Sequence, residues 1–426
     1  MIDVIKVLFD GRPLGALHWQ DESRTATFQY HPEFIATGYE VSPLRMPLRD
    51  MPYQFPELAR TQTFAGLPGL IADSLPERFG NQLLSAWLQS HGRTFESLAP
   101  LERLAYLGRR GMGALEYEPD LGLEQDTPVT MDVHDLVDVA RDVLAQRHAA
   151  RARLTANIEQ LVQVGTSAGG AKAKAVIAWN PTSGDVLSGQ VPAPAGYQYW
   201  IIKFDEIDNE ELATAHQIGR IEMAYHRMAV EAGISMMESR LMPDGDKAHF
   251  MTRRFDRGDH GEKYHVQTFA ALTHQDRDPP GAIGYESLFA TARALGLPQS
   301  DLDQIYRRMV FNILARNQDD HAKNHAFIMD NDGTWLLSPA YDICFSYKPG
   351  SRWIGNHQMR CNNKRDDFVL DDLVEAARAA DVKRNVAMDI VSDVRSALSQ
   401  WNRFAKEVDL SKETCEHIRK TFRSAL

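Results

Sequence analysis

The chain has 426 residues, of which 43% are hydrophobic and 25% are charged, and its formal net charge at pH 7 is −11. A chain of this length and composition forms about two or three globular domains with an ample core, which excludes an intrinsically disordered protein. The acidic balance argues against direct nucleic-acid binding, because phosphate contacts require clustered lysines and arginines.

Neither the first residues nor the apolar stretches of the chain suggest export or insertion into a membrane. The first residues, Met1–Phe9, lack a basic segment and a long apolar core, so they predict a first strand rather than a signal peptide. No apolar stretch is long enough to span a bilayer, and we expect no membrane interaction. Cys344, Cys361 and Cys415 have no metal-ligand spacing and form no even set for disulfides. This usage fits a reducing cytoplasm, with Cys344 as a buried bystander.

Short strands and turns are predicted for about the first fifty residues, and a mixed segment follows to about Pro119. Helical periodicity begins after Thr130. Its apolar stripe consists of Val133, Leu136, Val137, Ala140, Val143 and Leu144. The most basic run, Gln146–Leu154, is interleaved with alanine and belongs to the same helical region, so we interpret it as a solvated helix face.

A small-residue loop, Val164–Lys174, runs directly into the apolar segment Ala175–Trp179. A Walker-type phosphate site would need its lysine to be followed by Ser or Thr and then by a helix. Here Ala171-Lys172-Ala173 and a predicted strand follow Gly170, so that type of site is ruled out. In protein kinases a glycine loop is likewise followed by a strand. The alternative is a plain flexible hairpin, which has the same composition.

Tyr199–Phe204 is predicted to be a buried strand whose only charge is Lys203. Alternation places Tyr199, Ile201 and Lys203 on one face. A lysine in such a run either reaches the sheet edge or points at an anion, and the upstream loop favours the anion. In the helical segment that follows, Glu222 could orient Lys203, although a glutamate on a helix is ordinarily solvated.

The most informative segment is Asn317–Asn324, which is followed by Ser338–Ile343. It supplies an Asp, an Asn five residues later and a second Asp beyond a short hairpin, the set that protein kinases use for phosphoryl transfer. Because Mg²⁺ takes oxygen ligands and retains waters, the carboxylate of Asp342 and the amide oxygen of Asn324 suffice to hold it. Asp319 then remains to accept the proton of the attacking hydroxyl. A solvated turn that caps a helix would use the same residue types.

Two amphipathic helices are predicted around this segment. Ser300 and Asp303 form a capping box for a helix that leads to Asp319. Its apolar face consists of Leu302, Ile305, Met309 and Ile313. A second apolar stripe near the end consists of Ala387, Ile390, Val391, Val394, Leu398 and Trp401.

His321 and His325 lie four residues apart and could share a helix face as zinc ligands. The glutamate of the metalloprotease motif is missing between them. A zinc hydrolase would also give no role to Lys203 or to the glycine loop. We therefore favour phosphoryl transfer over hydrolysis.

Motifs along nearly the whole chain carry a family resemblance. The N-terminal part contains Phe9–Gly15, Phe64–Leu70, Ser74–Gly80 and Arg110–Leu115, and the later part contains the loop, strand and Asp-containing motifs above. Together they resemble the HipA family, the kinase toxins of bacterial HipBA-type toxin–antitoxin modules. The resemblance implies an α+β, two-lobed protein-kinase-like fold that is similar to phosphoinositide kinases.

In that fold a HipA-type N-terminal subdomain would occupy residues 1–119. A β-containing kinase N-lobe with the nucleotide loop would occupy residues 120–259, and a mainly helical C-lobe would occupy residues 260–426.

The resemblance also implies roles for single residues. The family's base falls on Asp319, its metal ligands on Asn324 and Asp342, and its strand lysine on Lys203. The backbone of Arg253–Phe255 would form the hinge that bonds adenine, and Asp256 would approach the ribose. The expected nucleotide contacts are Ser167, Gly169, Gly170, Ala171, Lys172, Ala173, Lys174, Lys203, Arg253, Arg254, Phe255, Asp256, His321, Ala322, Lys323, Asn324, Tyr341 and Asp342.

The function implied is that of a Mg-ATP-dependent serine/threonine protein kinase, with a translation component such as an aminoacyl-tRNA synthetase as its substrate. Ser167 would be a site of inhibitory autophosphorylation, although a turn serine that bonds its own backbone is the commoner case. The implied partner is a HipB-like helix-turn-helix antitoxin, through which the chain would reach operator DNA. The alternative is a catalytically silent, kinase-like co-repressor or scaffold for such an antitoxin.

Asp320 departs from the family pattern, in which a small residue follows the base. Two adjacent ionised carboxylates repel and raise one another's pKa if both face the same site. We expect the turn to point Asp319 and Asp320 apart.

Overall fold

The computed structural model describes residues 2–122, 129–144, 151–167, 169–205 and 217–426, with only the backbone for 151–157. The chain divides into two compact units. Unit 1 consists of Met1–Asp208, Met251–Gln267 and Met329–Gly333, and unit 2 of Asn209–Phe250, Thr268–Ile328 and Thr334–Leu426.

The fold mixes helices and strands. The strands are β1 (Val4–Phe9), β2 (Arg12–Gln20), β3 (Thr25–Tyr30), β4 (Leu115–Glu118), β5 (Lys174–Trp179), β6 (Val186–Ser188), β7 (Gln198–Lys203), β8 (Ser239–Asp244), β9 (Lys247–Arg253), β10 (His265–Thr268), β11 (Ala326–Met329) and β12 (Trp335–Leu337).

The helices are α1 (Pro32–Ile35), α2 (Gly69–Ala72), α3 (Arg78–Ser90), α4 (Pro100–Leu107), α5 (Val133–Leu144), α6 (Arg151–Gly165), α7 (Ile218–Glu231), α8 (Phe269–Thr273), α9 (Tyr285–Ala294), α10 (Gln299–Leu314), α11 (Leu370–Ala379), α12 (Arg384–Ser399), α13 (Trp401–Glu407) and α14 (Lys412–Thr421). None of the helices in the described ranges is both long and apolar enough to cross a membrane.

The N-terminal sheet of unit 1 has the strand order β3-β2-β1-β4. Its pairs are antiparallel, with Val4 opposite His18 and Lys6 opposite Glu118. Alternation gives this sheet one covered face, since Ile5 is buried while Val4 and Lys6 are exposed. The predicted first strand is confirmed.

Helix α3 packs closely against the start of the glycine loop in unit 1. A Cβ atom on Gly80 would lie 2.7 Å from the carbonyl oxygen of Thr166, so only glycine permits this approach. Helix α5 buries Leu136, Val137 and Ala140, which confirms the stripe predicted after Thr130. Residues 145–150 of the basic run lie outside the described residues.

Helix α10 of unit 2 buries the predicted apolar face, including Leu302, Ile305, Met309 and Ile313. The predicted capping box was wrong. The N-cap is Pro298, so Ser300 lies inside the first turn. The carboxylate of Asp303 instead accepts a 2.9 Å hydrogen bond from Gln299. The helix therefore begins two residues earlier than the Ser-x-x-Asp pattern suggested, because the proline already fixes an extended entry.

Helix α12 buries Ala387, Ile390, Val391, Val394 and Leu398, as the second stripe predicted. Trp401 belongs to the next helix, α13, where it is also buried. In unit 2 the Asp-containing motifs lie between α10 and α11. Both of these helices have buried apolar faces.

Candidate active site

The residues predicted to contact nucleotide fall in both units. In each unit they are held by contacts with other residues of the same unit. In unit 1 the glycine loop is held by Glu77, the N-cap residue of α3. The Glu77 carboxylate accepts a 2.9 Å hydrogen bond from the N–H of Gly170 and lies over Gly169. Ala171 is exposed, and Ala168 lies outside the described residues. The loop thus has a defined anchor at its glycine pair.

Ser167, in the same loop, has a specific partner outside it. Its hydroxyl oxygen accepts a 2.6 Å hydrogen bond from Nε2 of Gln190, a residue beyond β6. The preceding Thr166 is buried and donates to the carbonyl oxygen of Val162, at the end of α6. The predicted turn serine is therefore bonded to a side chain 23 positions away.

The two predicted phosphate lysines lie side by side in unit 1. Lys174 begins β5 and Lys203 ends β7, and they are directly opposite in the antiparallel pair. Directly opposed residues project to the same face. Both are buried, at 5% and 8% exposure. Nζ of Lys174 donates to the carbonyl oxygen of Gly169, next to the loop. Two ammonium groups at one end of a strand pair create a local positive potential that favours an anion.

The predicted hinge segment, Arg253–Phe255, is bonded to β7 and to a residue of the loop that follows it. The N–H of Arg254 donates a 2.9 Å hydrogen bond to the carbonyl oxygen of Tyr199. The side chain of Arg253 pairs with Asp259. Adenine recognition by this backbone would therefore use groups of the segment other than the Arg254 N–H, while the Arg253 side chain is directed to the exposed loop.

Asp256 is the centre of a buried ionic cluster in unit 1. It accepts two hydrogen bonds from Arg254, of 2.8 and 2.6 Å, one of 2.8 Å from Arg257 and one of 2.7 Å from the N–H of Gly113. Burial alone would raise the pKa of Asp256, but the two arginines outweigh it and hold the pKa below its ordinary value. Arg257 also donates to the carbonyl oxygens of Gly111 and Gly113.

Three of these bonds fall on Oδ2 and one on Oδ1, so Oδ1 keeps one acceptor position. Asp256 therefore joins the hinge to the Gly111–Gly113 turn, and a contact with ribose would depend on its remaining acceptor position.

In unit 2 the turn after α10 carries Asp319 and Asn324. The amide Nδ2 of Asn324 donates a 2.7 Å hydrogen bond to the carbonyl oxygen of Asp319. This bond closes the turn and leaves Oδ1 as the acceptor end of Asn324. The Asp319 side chain is 42% exposed, and its Oδ1 lies 3.9 Å from Nε2 of His321. A carboxylate so exposed is accessible to a hydroxyl.

Asp320 points the other way. It is 1% exposed, and its carboxylate bonds groups in the interior of unit 2. The prediction that the turn separates the two carboxylates is confirmed.

The other residues of this turn are held by unit 2 as well. His321 lies 3.2 Å from NH1 of Arg277, which can only donate, so its Nε2 accepts. His325 is buried in edge contact with Tyr285, and burial lowers its pKa to about 3. Ala322 is buried and Lys323 is half-buried.

Asp342 is linked to this turn through the preceding residue, Tyr341. The hydroxyl of Tyr341 donates a 2.7 Å hydrogen bond to the carbonyl oxygen of Lys323, one residue before Asn324. Asp342 itself is half-buried and has a φ of +52°, in the left-handed region. Such backbone in a non-glycine residue is uncommon and persists where the surrounding structure imposes it.

The chemistry of this pair fits magnesium. An amide oxygen and a carboxylate on adjoining segments are the oxygen donors that Mg²⁺ prefers, with waters and phosphate completing its shell. Within the described ranges, no group of three or more His, Cys, Asp or Glu side chains is placed to hold a metal ion.

Glu222 on α7 is 2% exposed, so the ordinary expectation of a solvated helix glutamate was wrong. Cys344 is buried, as expected.

Sequence reasoning missed Glu77, Gln190 and Arg257. Glu77 and Gly170 are 93 positions apart. No local pattern signals such a contact.

Residues 5–118 match the model of the HipA N-terminal domain, and residues 166–401 match that of the HipA-like C-terminal domain. The protein named Putative kinase Y4dM, from Sinorhizobium fredii, is 25% identical over 169 residues, which are 39% of this chain and 41% of that protein. The alignment thus spans less than half of that relative's length.

Among solved structures, the chain is similar to one from the Shewanella oneidensis MR-1 toxin–antitoxin complex of HipA, HipB and operator DNA. The TM-score is 0.66 at 16% identity, with 98% of this chain and 95% of that chain covered. This likeness shows a shared fold.

Proposed function

The chain belongs to the HipA family, and on that premise we propose that it is a Mg-ATP-dependent serine/threonine protein kinase and the toxin of a toxin–antitoxin module. The observation that carries the proposal is the joining of the Asp319–Asn324 turn to the Asp342 segment. The Asn324 side chain closes the turn on Asp319, and Tyr341 bonds Lys323 at 2.7 Å. A base and two oxygen ligands are the parts that phosphoryl transfer requires.

Asn324 Oδ1 and the Asp342 carboxylate would hold magnesium, which when bound supplies positive charge beside the phosphates. Asp319 would accept a hydrogen bond from the hydroxyl of a serine or threonine and then its proton as the oxygen attacks. Its 42% exposed side chain is suited to a hydroxyl presented by a separate protein. In unit 1, Lys174 and Lys203 would bind nucleotide phosphates by charge, and the Arg253–Phe255 segment would bind adenine.

The two-lobed kinase-like architecture is part of the same proposal. The fold shared with a chain of the HipA, HipB and operator DNA complex supports it. That complex also motivates the proposed partner, a dimeric helix-turn-helix antitoxin that would connect this acidic chain to DNA. The proposed substrate is a protein of translation, such as an aminoacyl-tRNA synthetase.

Phosphoproteomics of cells that express wild type or Asp319→Ala tests the function. We expect at least one serine or threonine, in a translation protein, to be phosphorylated only with wild type. An identical phosphoproteome would contradict the kinase proposal. Purified protein that binds an antitoxin but consumes no ATP would favour the silent co-repressor instead.

A further inference from the structure

Asp320, which follows the proposed base directly, is bonded by three donors within unit 2. Its Oδ2 accepts from the hydroxyl of Tyr285 and from Nδ1 of His357, each at 2.8 Å. Its Oδ1 accepts from the N–H of Gln358 at 2.8 Å. Burial alone would raise the pKa of Asp320, but the hydrogen bonds from His357, Tyr285 and Gln358 hold it below the ordinary value. The group is therefore a carboxylate at neutral pH.

The proton on His357 can be assigned from its partners. NH1 of Arg423 lies 3.0 Å from Nε2 of His357. A guanidinium has only donors, so Nε2 must accept and carries no proton. The proton of the neutral imidazole is then on Nδ1, where it is donated to Asp320. His357 is 0% exposed, so water does not compete for either nitrogen.

Arg423 is itself fixed to the helix that leads into the turn. Its NH1 donates a 2.6 Å hydrogen bond to the carbonyl oxygen of Ile313, near the end of α10, and its NH2 pairs with Asp366. Hydrogen bonds therefore run without a break from α10 through Arg423 and His357 to Asp320.

We infer that Asp320, His357 and Arg423 are positioning residues for Asp319, an inference that rests on the proposed kinase function. Asp319 and Asp320 share one peptide bond, yet their side chains are 42% and 0% exposed. Three donors fix Asp320 on one side of that peptide, and Asn324 bonds the Asp319 carbonyl on the other. The backbone that carries the base is thus held from both sides, and a displacement of about 1 Å at such a group lowers turnover about 100-fold.

A matched pair of substitutions at His357 separates its two bonds. The amide nitrogen of an asparagine lies where Nδ1 lies, whereas that of a glutamine lies where Nε2 lies. His357→Asn therefore keeps a donor to Asp320, and His357→Gln does not. With the full chain, we expect His357→Gln to lower kcat by about 100-fold with an unchanged KM for Mg-ATP, and His357→Asn to stay within about tenfold of wild type. Equal kcat values in two variants with the same melting temperature would overturn the inference.

Two measurements require no activity. In wild type, ¹⁵N NMR should show His357 as the neutral Nδ1–H tautomer, and any other state would contradict the assignment. Hydrogen exchange of residues 319–324 should be slow in wild type and His357→Asn but faster in His357→Gln. If the wild type transfers no phosphate and only His357→Gln loses protection, the kinase proposal is refuted and the positioning of the turn by His357 stands. Full turnover by His357→Gln would refute only the positioning.

Should the histidine variants fail to fold, Arg423→Gln gives a second test with Arg293→Gln as its control. Arg293 also bonds a carbonyl oxygen and a carboxylate, those of Ala379 and Asp381, but no histidine. We expect Arg423→Gln to lower kcat by about tenfold and Arg293→Gln to behave as wild type. Equal kcat values in the two arginine variants would overturn the inference.

Discussion

The hydroxyl oxygen of Ser167 accepts a 2.6 Å hydrogen bond from Nε2 of Gln190, so the serine of the glycine loop is held by a side chain 23 positions away. Phosphorylation of Ser167 would add about −1.5 to −2 charges at this point. Lys172 and Lys174 lie in the same loop and could capture the phosphate, holding the loop in a second state.

We predict that wild-type protein incubated with Mg-ATP carries phosphate on Ser167, and that Asp319→Ala does not. The phosphorylated form should bind ATP more weakly, because like charges repel. Mass spectrometry followed by ATP titration of each form measures both effects, with Ser167→Ala as the unphosphorylated control. Phosphorylated protein with undiminished ATP affinity would disprove the switch, and active enzyme without phosphate on Ser167 would disprove the modification.

Binding and chemistry should separate between the two aspartates of unit 2. Asp342→Ala should abolish magnesium-dependent ATP binding, since it removes a proposed metal ligand. Asp319→Ala should still bind Mg-ATP but transfer phosphate at least about 100-fold more slowly, because a base acts only on the attacking hydroxyl. Calorimetric titration with and without magnesium, beside a transfer assay, measures both. Asp332→Ala, at an exposed position, is the control. Equal loss of ATP affinity in both variants would show that the assigned roles are wrong.

Asp256→Asn should destabilise unit 1 by about 3 kcal/mol, because it leaves the buried charges of Arg254 and Arg257 without their carboxylate. Chemical denaturation measures the change in the free energy of unfolding. The control is Asp259→Asn, whose carboxylate pairs with Arg253 but is 74% exposed, and we expect little change there. A similar stability for both variants would mean that the Asp256 cluster contributes little.

Mild acid should destabilise the protein through its buried histidines. His265 donates a 2.9 Å hydrogen bond from Nε2 to the carbonyl oxygen of Val41, and burial lowers its pKa to about 4. Below the ordinary pKa of about 6.5, the unfolded chain takes up a proton that the folded chain refuses. This contribution to stability is therefore complete above about pH 6.5 and declines toward pH 4, by about 1.4 kcal/mol per pH unit.

His265→Gln retains a donor and cannot titrate, so the slope of unfolding free energy against pH should become shallower. Denaturation at a series of pH values distinguishes these outcomes, and identical slopes for the His265 variant and wild type would contradict the prediction.

The acidic chain alone should not bind its operator specifically at physiological salt, whereas the complex with its proposed helix-turn-helix antitoxin should. An electrophoretic or fluorescence binding assay with each protein alone and with the mixture gives the answer. Specific binding by this chain alone would refute the argument from charge.

Periodicity predicted several helices correctly because burial of one face imposes it. The stripes of α5 and α12 were identified from helical spacing, and β5 and β7 from short apolar runs. The capping box at Ser300 failed because a proline two residues earlier already set the entry of α10. Local patterns thus locate an element more reliably than its end.

The sequence by itself determined the residue types of the proposed phosphotransfer site and their order, since Asp319, Asn324 and Asp342 lie within one short stretch of chain. Only the tertiary structure decided what holds them: Glu77 on the glycine loop, the Gly113 turn on Asp256, and His357 with Arg423 behind Asp320. The physical reason is that hydrogen bonds depend on distance and direction in space. Residues 93 or 143 positions apart can meet in the fold without leaving any pattern in their neighbours.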